Sequence, residues 1–367
     1  MSRRSPLHDR LATAGATFAD RDGFEVCASL SPREPEYRAV RERVGLADFS
    51  HLLKYRGRVD DALYPLDETL TGNVANLRFG RVLHTLLTGE DGRILADVLV
   101  ACDDEDLILL AEPCAAADAI DALLCRPGSG LANVTADLAV LSLDGPAAWG
   151  APRDLFGRDV LGMPYLSVEP HDLDGPVRLI RAGKTAEFGY LVLVDASRAT
   201  AAWDRLLEAG ARHGIAPVGL DVHDDLRLDG RFFNVHREGR ALGDPLELGL
   251  QWMIDFAKDG FVGRDAIRAR REAGVAFKTV GVALAAGLDG MDAGDPVLLD
   301  GDAVGHVVTA GWSFTLGRRI GLARLSRDVA YAGLDLAVRH AGRDQDAVSL
   351  SMPPFVPKSL TVRLDEV

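Results

Sequence analysis

An aspartate in the middle of a hydrophobic strand is the first residue equipped for chemistry. In Leu95-Ala96-Asp97-Val98-Leu99 the two-residue period of a strand puts the Asp97 side chain on one face with Leu95 and Leu99. A carboxylate on an apolar face is costly unless it has a partner. Asp97 is therefore either a sheet-edge acid bonded to a neighbouring loop, or an acid kept for a task such as stabilising a cationic carbon or moving a proton. Arg227, in Asp224-Asp225-Leu226-Arg227-Leu228-Asp229, is either paired with Asp224 one helical turn away, or free to grip a ligand carboxylate or lock a local acid. From the residues alone, Glu187 reads as a solvated glutamate at the start of a strand and Trp252 as a core filler. His51 reads as a hydrogen-bonded structural histidine. The nine histidines and four cysteines show no metal-ligand spacing, and no Cys-x-x-Cys pair occurs, so the cysteines read as reduced buried thiols. The segment 311–317 lacks the Gly-Lys-Ser/Thr ending of a phosphate loop.

These residues need elements to hold them. Ser31 as N-cap, Pro32 at the first helical position and Glu34 as the capping-box partner predict a helix that presents Tyr37, Val40 and Val44 on one face and ends at Gly45. Residues 82–88 and 93–101 flank Gly89-Glu90-Asp91-Gly92 and read as a hairpin, with a third strand at 106–111 and an Ala-rich helix at 114–125. Strands follow at 138–143, 176–181 and 188–194, then helices at about 196–209, 219–229 and 264–272. Beyond 275, short β-rich runs at 279–284, 303–309, 319–323, 334–340 and 346–350 suggest a small barrel or sandwich. The whole is α+β followed by all-β.

At 367 residues the chain is long enough for two or three domains. A net charge of −14 argues against a general nucleic-acid binder, because phosphate contacts need clustered Lys and Arg. No stretch approaches the roughly 20 apolar residues that span a bilayer, and 1–15 (MSRRSPLHDRLATAG) carries charge with no apolar core behind it, so a cytoplasmic location is expected.

Several local patterns then arrive in a fixed order: PLHDR (6–10), AVRERVGLADFSH (39–51), DGRILADVLV (91–100), LDGP (143–146), AEFGY (186–190), GLDVHDDLRLDG (219–230), LGLQW (248–252), FVGRDAI (261–267) and SFTLGRRIGLARL (313–325). Together the series resembles the glycine cleavage T-protein family, the tetrahydrofolate-dependent aminomethyltransferases and their demethylase relatives, over nearly the whole chain. The resemblance implies three domains in a cloverleaf around a central folate hole. Two interleaved α+β domains are expected at 1–50 plus 138–230 and at 51–137 plus 231–272, with a small C-terminal β-barrel at 275–367. It implies tetrahydrofolate, or its 5-methyl or 5,10-methylene form, as cofactor. By the same match Asp97 is the catalytic acid near the folate nitrogens, and Glu187 a bidentate acceptor for the pterin edge. Arg227 matches a folate-site arginine and Trp252 a family tryptophan beside the ring.

Against the family pattern, His84 stands for a tyrosine, Lys184 for another, and Val222-His223-Asp224 for Ala-Arg-Asp. Such changes alter the hydrogen-bond polarity and pH response of a pocket. They make His84, Lys184 and His223 candidate substrate-side groups. They point to one-carbon transfer between folate and a small-molecule substrate other than an aminomethyl-lipoyl carrier protein. The alternatives are the aminomethyltransferase of glycine cleavage, with that carrier as partner, and a non-catalytic folate-binding protein. Against an iron–sulfur assembly role, 258–265 (KDGFVGRD) has no cysteine.

Overall fold

A computed structural model describes residues 2–365. Two sheets dominate. One has six strands in the order Ser167–Asp172, Pro176–Arg181, Gly189–Asp195, Leu138–Asp144, Val44–Asp48, Ile215–Pro217. The other has five, in the order Val82–Thr88, Ile94–Asp103, Asp106–Pro113, Leu53–Arg58, Leu131–Asn133. Since 53–133 supplies one sheet and the flanking segments the other, the two α+β units interleave along the chain. Beyond them Phe277–Leu284, Arg318–Ser326, Asp302–Ser313, Pro296–Leu299, Asp335–His340 and Arg343–Leu350 close into a six-stranded barrel. A small sheet of Arg3–Arg4, Phe24–Ser29 and Thr17–Arg21 completes the fold. Among the described residues no helix is long and apolar enough to cross a membrane.

Strand periodicity sorts the core. On the five-stranded sheet, Val98, Val100, Leu107 and Leu109 pack under the helices Val59–Asp67 and Ala117–Leu124. The alternate residues Leu99, Ala101, Ile108 and Leu110 pack against Val140, Ile180, Leu191 and Leu193 of the six-stranded sheet. A strand buried on both faces reads as a continuous apolar run, which is why 94–103 carries so few polar residues. Asp97 and Glu112 share the parity of Leu99 and Leu110, and Asp144 that of Val140. The pleat alone thus turns three acids toward the seam between the sheets.

The expected partners of Asp97 need one correction. Opposite Leu87 and Thr88 stand Ala96 and Ile94, so Leu95 is the extra residue of a β-bulge and packs with the Val98 core, not with Asp97 and Leu99. Nor is Asp97 at a sheet edge, because its strand is the second of five.

The first long helix also differs in detail. It spans Arg33–Glu42 with no side-chain cap at Pro32, and Glu34 pairs with Arg38 along the helix. Buried Glu36 satisfies the local amides instead, accepting from Leu30 N, Ser31 N and Gly219 N at 2.6, 2.6 and 2.8 Å. Gly45 does not end this helix but lies inside the strand Val44–Asp48, where a Cβ would meet Val40 Cγ2 at 2.5 Å. Gly219 starts the helix Leu220–Gly230 because a Cβ there would meet Ala28 O at 2.1 Å. That helix is buried at every position but Asp221, which leaves its other polar side chains in need of partners.

Candidate active site

The seam between the sheets holds a narrow cavity. Phe49, Leu52, Leu99, Leu110 and Leu191 form apolar walls, and Asp97, Glu112, Asp144, Lys184, His84, His223 and Arg227 supply its polar groups. Asp97 and Glu112 stand directly opposite each other on neighbouring strands. Two carboxylates so placed repel unless cations intervene. Lys184, from the turn after Pro176–Arg181, bridges them: its Nζ donates to Asp97 Oδ2 at 2.5 Å and to Glu112 Oε2 at 2.8 Å. His84 Nε2 lies 2.5 Å from Asp97 Oδ1, and Arg227 Nη1 donates to both Glu112 oxygens at 2.8 and 3.0 Å. The result is an alternating chain, His84–Asp97–Lys184–Glu112–Arg227, along the cavity floor.

Burial by itself would raise the Asp97 carboxyl, but the charges of His84 and Lys184 outweigh it and hold it at about 2. Burial is likewise overcome at Glu112 by Arg227 and Lys184, which keep that carboxyl well below its usual range. Both acids are therefore anionic at neutral pH. Burial, with the nearby Arg227 charge, pushes His223 down to about 3, so it is neutral. Its Nε2 has no hydrogen-bond partner, and neither has Arg227 Nε.

Asp144 is the exception among the acids. It accepts from Ser142 Oγ at 2.5 Å and Thr185 Oγ1 at 3.2 Å, yet burial dominates and raises it to about 6. Between the ordinary aspartate value and about 6, the unfolded chain loses this proton while the folded one keeps it, so stability falls with rising pH across that window. Above it the cost is constant. Asp144→Asn is thus expected to stabilise the protein by on the order of 1–3 kcal/mol above pH 6. The gain should shrink toward zero as pH falls to 4, as read from melting temperatures of both proteins across pH 4–8.

Of the residues singled out from the sequence, Asp97, His84, Lys184, His223 and Arg227 come together here. Trp252 fills no core: it is 65% exposed and stands at the mouth, its ring 5.4 Å from that of His84. It lines a groove with Phe232, Phe233 and Lys278 that shares His84, Asp97 and Lys184 with the cavity. Arg227 does not pair directly with Asp224, which is held by Arg21 at 3.1 Å and Asn234 at 2.8 Å. Buried to 3% exposure, it locks Glu112 and is not placed to meet a ligand tail outside.

Glu187 is not brought to the cavity. Its carboxylate accepts from Ser359 N at 2.8 Å, Ser359 Oγ at 2.6 Å and Lys358 N at 3.2 Å, with Arg41 at 3.3 Å. The C-terminal segment therefore takes the hydrogen bonds expected for a pterin. Glu112 and Asp144 went unnoticed in the sequence. Strand parity offered a signal for both, since each shares a face with buried apolar residues.

Two family descriptions match the chain, the GCVT N-terminal domain over residues 7–258 and the glycine cleavage T-protein C-terminal barrel domain over 278–356. The aminomethyltransferase of Geobacillus kaustophilus is 32% identical, covering 96% of this chain and 98% of the relative. That of Streptomyces avermitilis is also 32% identical, over 95% and 98%. The crystal structure of the glycine cleavage system aminomethyltransferase T from Bartonella henselae matches the fold with a TM-score of 0.83 at 21% identity, covering 97% of this chain and 99% of that one. The chain belongs to the glycine cleavage T-protein family of tetrahydrofolate-dependent one-carbon transferases.

Proposed function

We propose that this chain transfers a one-carbon unit from an aminomethyl donor to tetrahydrofolate bound in the inter-sheet cavity, with Asp97 facing the folate nitrogens. The observation that carries the reading is an ionised, buried Asp97 on the floor of a cavity with apolar walls. A flat heterocycle needs apolar faces and polar edges, and the residues present fit that need. Phe49, Leu52, Leu99 and Leu191 offer the faces. The Asp144 carboxyl and the unpartnered His223 Nε2 offer edge contacts, which makes Asp144 the better candidate for the role first expected of Glu187. Trp252 at the mouth would cover the aromatic part of the folate tail.

When bound, tetrahydrofolate supplies the nitrogens that take up the carbon. Asp97 lowers the energy of the positive charge that develops on the moving carbon, in a site from which water is largely displaced. Lys184, fixed by two carboxylates beside the cavity, would serve as the proton donor to a departing amine.

Full-length likeness to aminomethyltransferases favours an aminomethyl donor over the unrelated small-molecule donor that the departures at 84, 184 and 223 suggested. One observation keeps a second reading: both His84 and Lys184 engage Asp97 directly, so the donor side of the site is more polar than a tyrosine pair would make it. An assay with aminomethyl-lipoyl carrier protein and tetrahydrofolate, watching ammonia and methylenetetrahydrofolate, is expected to show turnover. Turnover only with free methylated amines would replace this reading with the second. His84→Phe and Lys184→Met should each lower the rate about tenfold or more. Parental rates in both would remove these residues from the substrate side.

A further inference from the structure

Next to Glu112 along the chain, at Pro113 and Cys114, lies a second pocket that is also lined by Arg3, Arg21, His51 and His236. We propose that His51, His236 and Glu112 form a binding site for one divalent transition-metal ion, open to this pocket. Their ligand atoms all lie within 4.8 Å of one another, and His236 Nε2 is 3.3 Å from Glu112 Oε1. Bonds of about 2.0–2.2 Å to a tetrahedral centre place ligands roughly 3.3–3.6 Å apart; the Glu112–His236 pair is already at that spacing, and His51 would have to draw in to join it.

The imidazoles carry the argument. His51 is 6% exposed, and neither of its ring nitrogens has a hydrogen-bond partner. His236 makes no well-aligned hydrogen bond, and its two ring nitrogens face carboxylate oxygens of Glu112 and Asp22 at 3.3 Å. A buried imidazole without a partner is costly, and a shared ligand relieves His51 while using the carboxylates already beside His236. His236 Nδ1 also stands 3.3 Å from Asp22 Oδ2, the position of a carboxylate that orients a metal-bound histidine.

A cation fits better than an anion. A carboxylate sits inside the cluster, and three of the neighbouring arginines are already matched, Arg21 by Asp224, Arg240 by Asp22 and Arg227 by Glu112, while the fourth, Arg3, is exposed at the rim. Two nitrogens and one oxygen suit Zn²⁺, Co²⁺ or Fe²⁺ rather than Mg²⁺ or Ca²⁺. The open side toward the pocket leaves room for water or an exogenous ligand.

The test uses the tag-free chain, stripped with chelator and titrated with Co²⁺, read by its visible absorption bands and by calorimetry. One equivalent is expected to bind. His51→Ala and His236→Ala should each weaken binding by well over tenfold, and Asp22→Asn by about tenfold, with far-ultraviolet dichroism unchanged. Should His51→Ala fail to fold, His236→Ala and Asp22→Asn carry the test. The proposal is overturned if neither Co²⁺ nor Zn²⁺ binds at one equivalent, or if binding is the same in the folded variants. It is also overturned if phosphate, and no metal, raises the melting temperature through these residues.

Discussion

Asp97→Asn is expected to cut single-turnover one-carbon transfer by roughly 10²- to 10³-fold, about 2.7–4 kcal/mol of barrier, while tetrahydrofolate binding changes by less than tenfold. The substitution keeps shape and removes charge. Only an interaction stronger in the transition state than in the ground state affects the chemical step alone, and an ionised carboxylate, even one shared with His84 and Lys184, beside a carbon that becomes cationic is such an interaction. The split between the two measurements is the informative part. Loss of binding with an unchanged rate would make Asp97 a cofactor anchor. Equal loss of both would point to collapse of the His84–Asp97–Lys184 chain. A melting curve is needed beside the kinetics, because Asp97→Asn also leaves Lys184 with Glu112 as its sole counter-charge. If transfer in Asp97→Asn stays within threefold of the parent, the cavity floor is not where the carbon moves.

The physics of alternation decided which parts of this molecule were visible in its sequence. The hairpin, the third strand, the helix now seen at Leu220–Gly230 and the β-rich C-terminal third were all legible, because local periodicity and turn residues specify them. The strands Val44–Asp48 and Leu53–Arg58 were not: each is short, and the first follows a helix so closely that Val44 and Gly45 read as its end. Pro296–Leu299 was missed for the same want of length. At the site, parity placed Asp97 on the correct face but could not foresee the bulge that removes Leu95 from it. The fate of Glu187 depended on Ser359, 172 residues away in sequence, which no local pattern encodes. The same limit hid the gathering of His51, Glu112 and His236, three residues from three segments whose spacing carries no motif.

Arg227→Met should destabilise the protein by about 3–5 kcal/mol, the usual cost of leaving a buried charge without its partner. Glu112 is 2% exposed, and both of its oxygens accept from Arg227. Lys184 and His236 remain, but Lys184 is shared with Asp97 and His236 Nε2 stands 3.3 Å off. The deficit comes from the stranded carboxylate, not from the lost contact as such, so the double variant Arg227→Met/Glu112→Gln should recover more than half of it. Coupling of that size marks a true pair, whereas additive losses would mean that Arg227 acts mainly through packing. The pH dependence supplies an independent check. In the parent, burial would raise Glu112 but Arg227 and Lys184 hold it well below its usual value, so the stability it contributes is full at neutral pH and declines as acid protonates it. Without Arg227 the burial effect is less opposed and the carboxyl takes its proton at a higher pH. The stability gap between Arg227→Met and the parent should therefore be widest near neutral pH and narrow as pH falls through the ordinary glutamate range. A gap that stays constant with pH in denaturant titrations would place the damage elsewhere in the buried helix Leu220–Gly230.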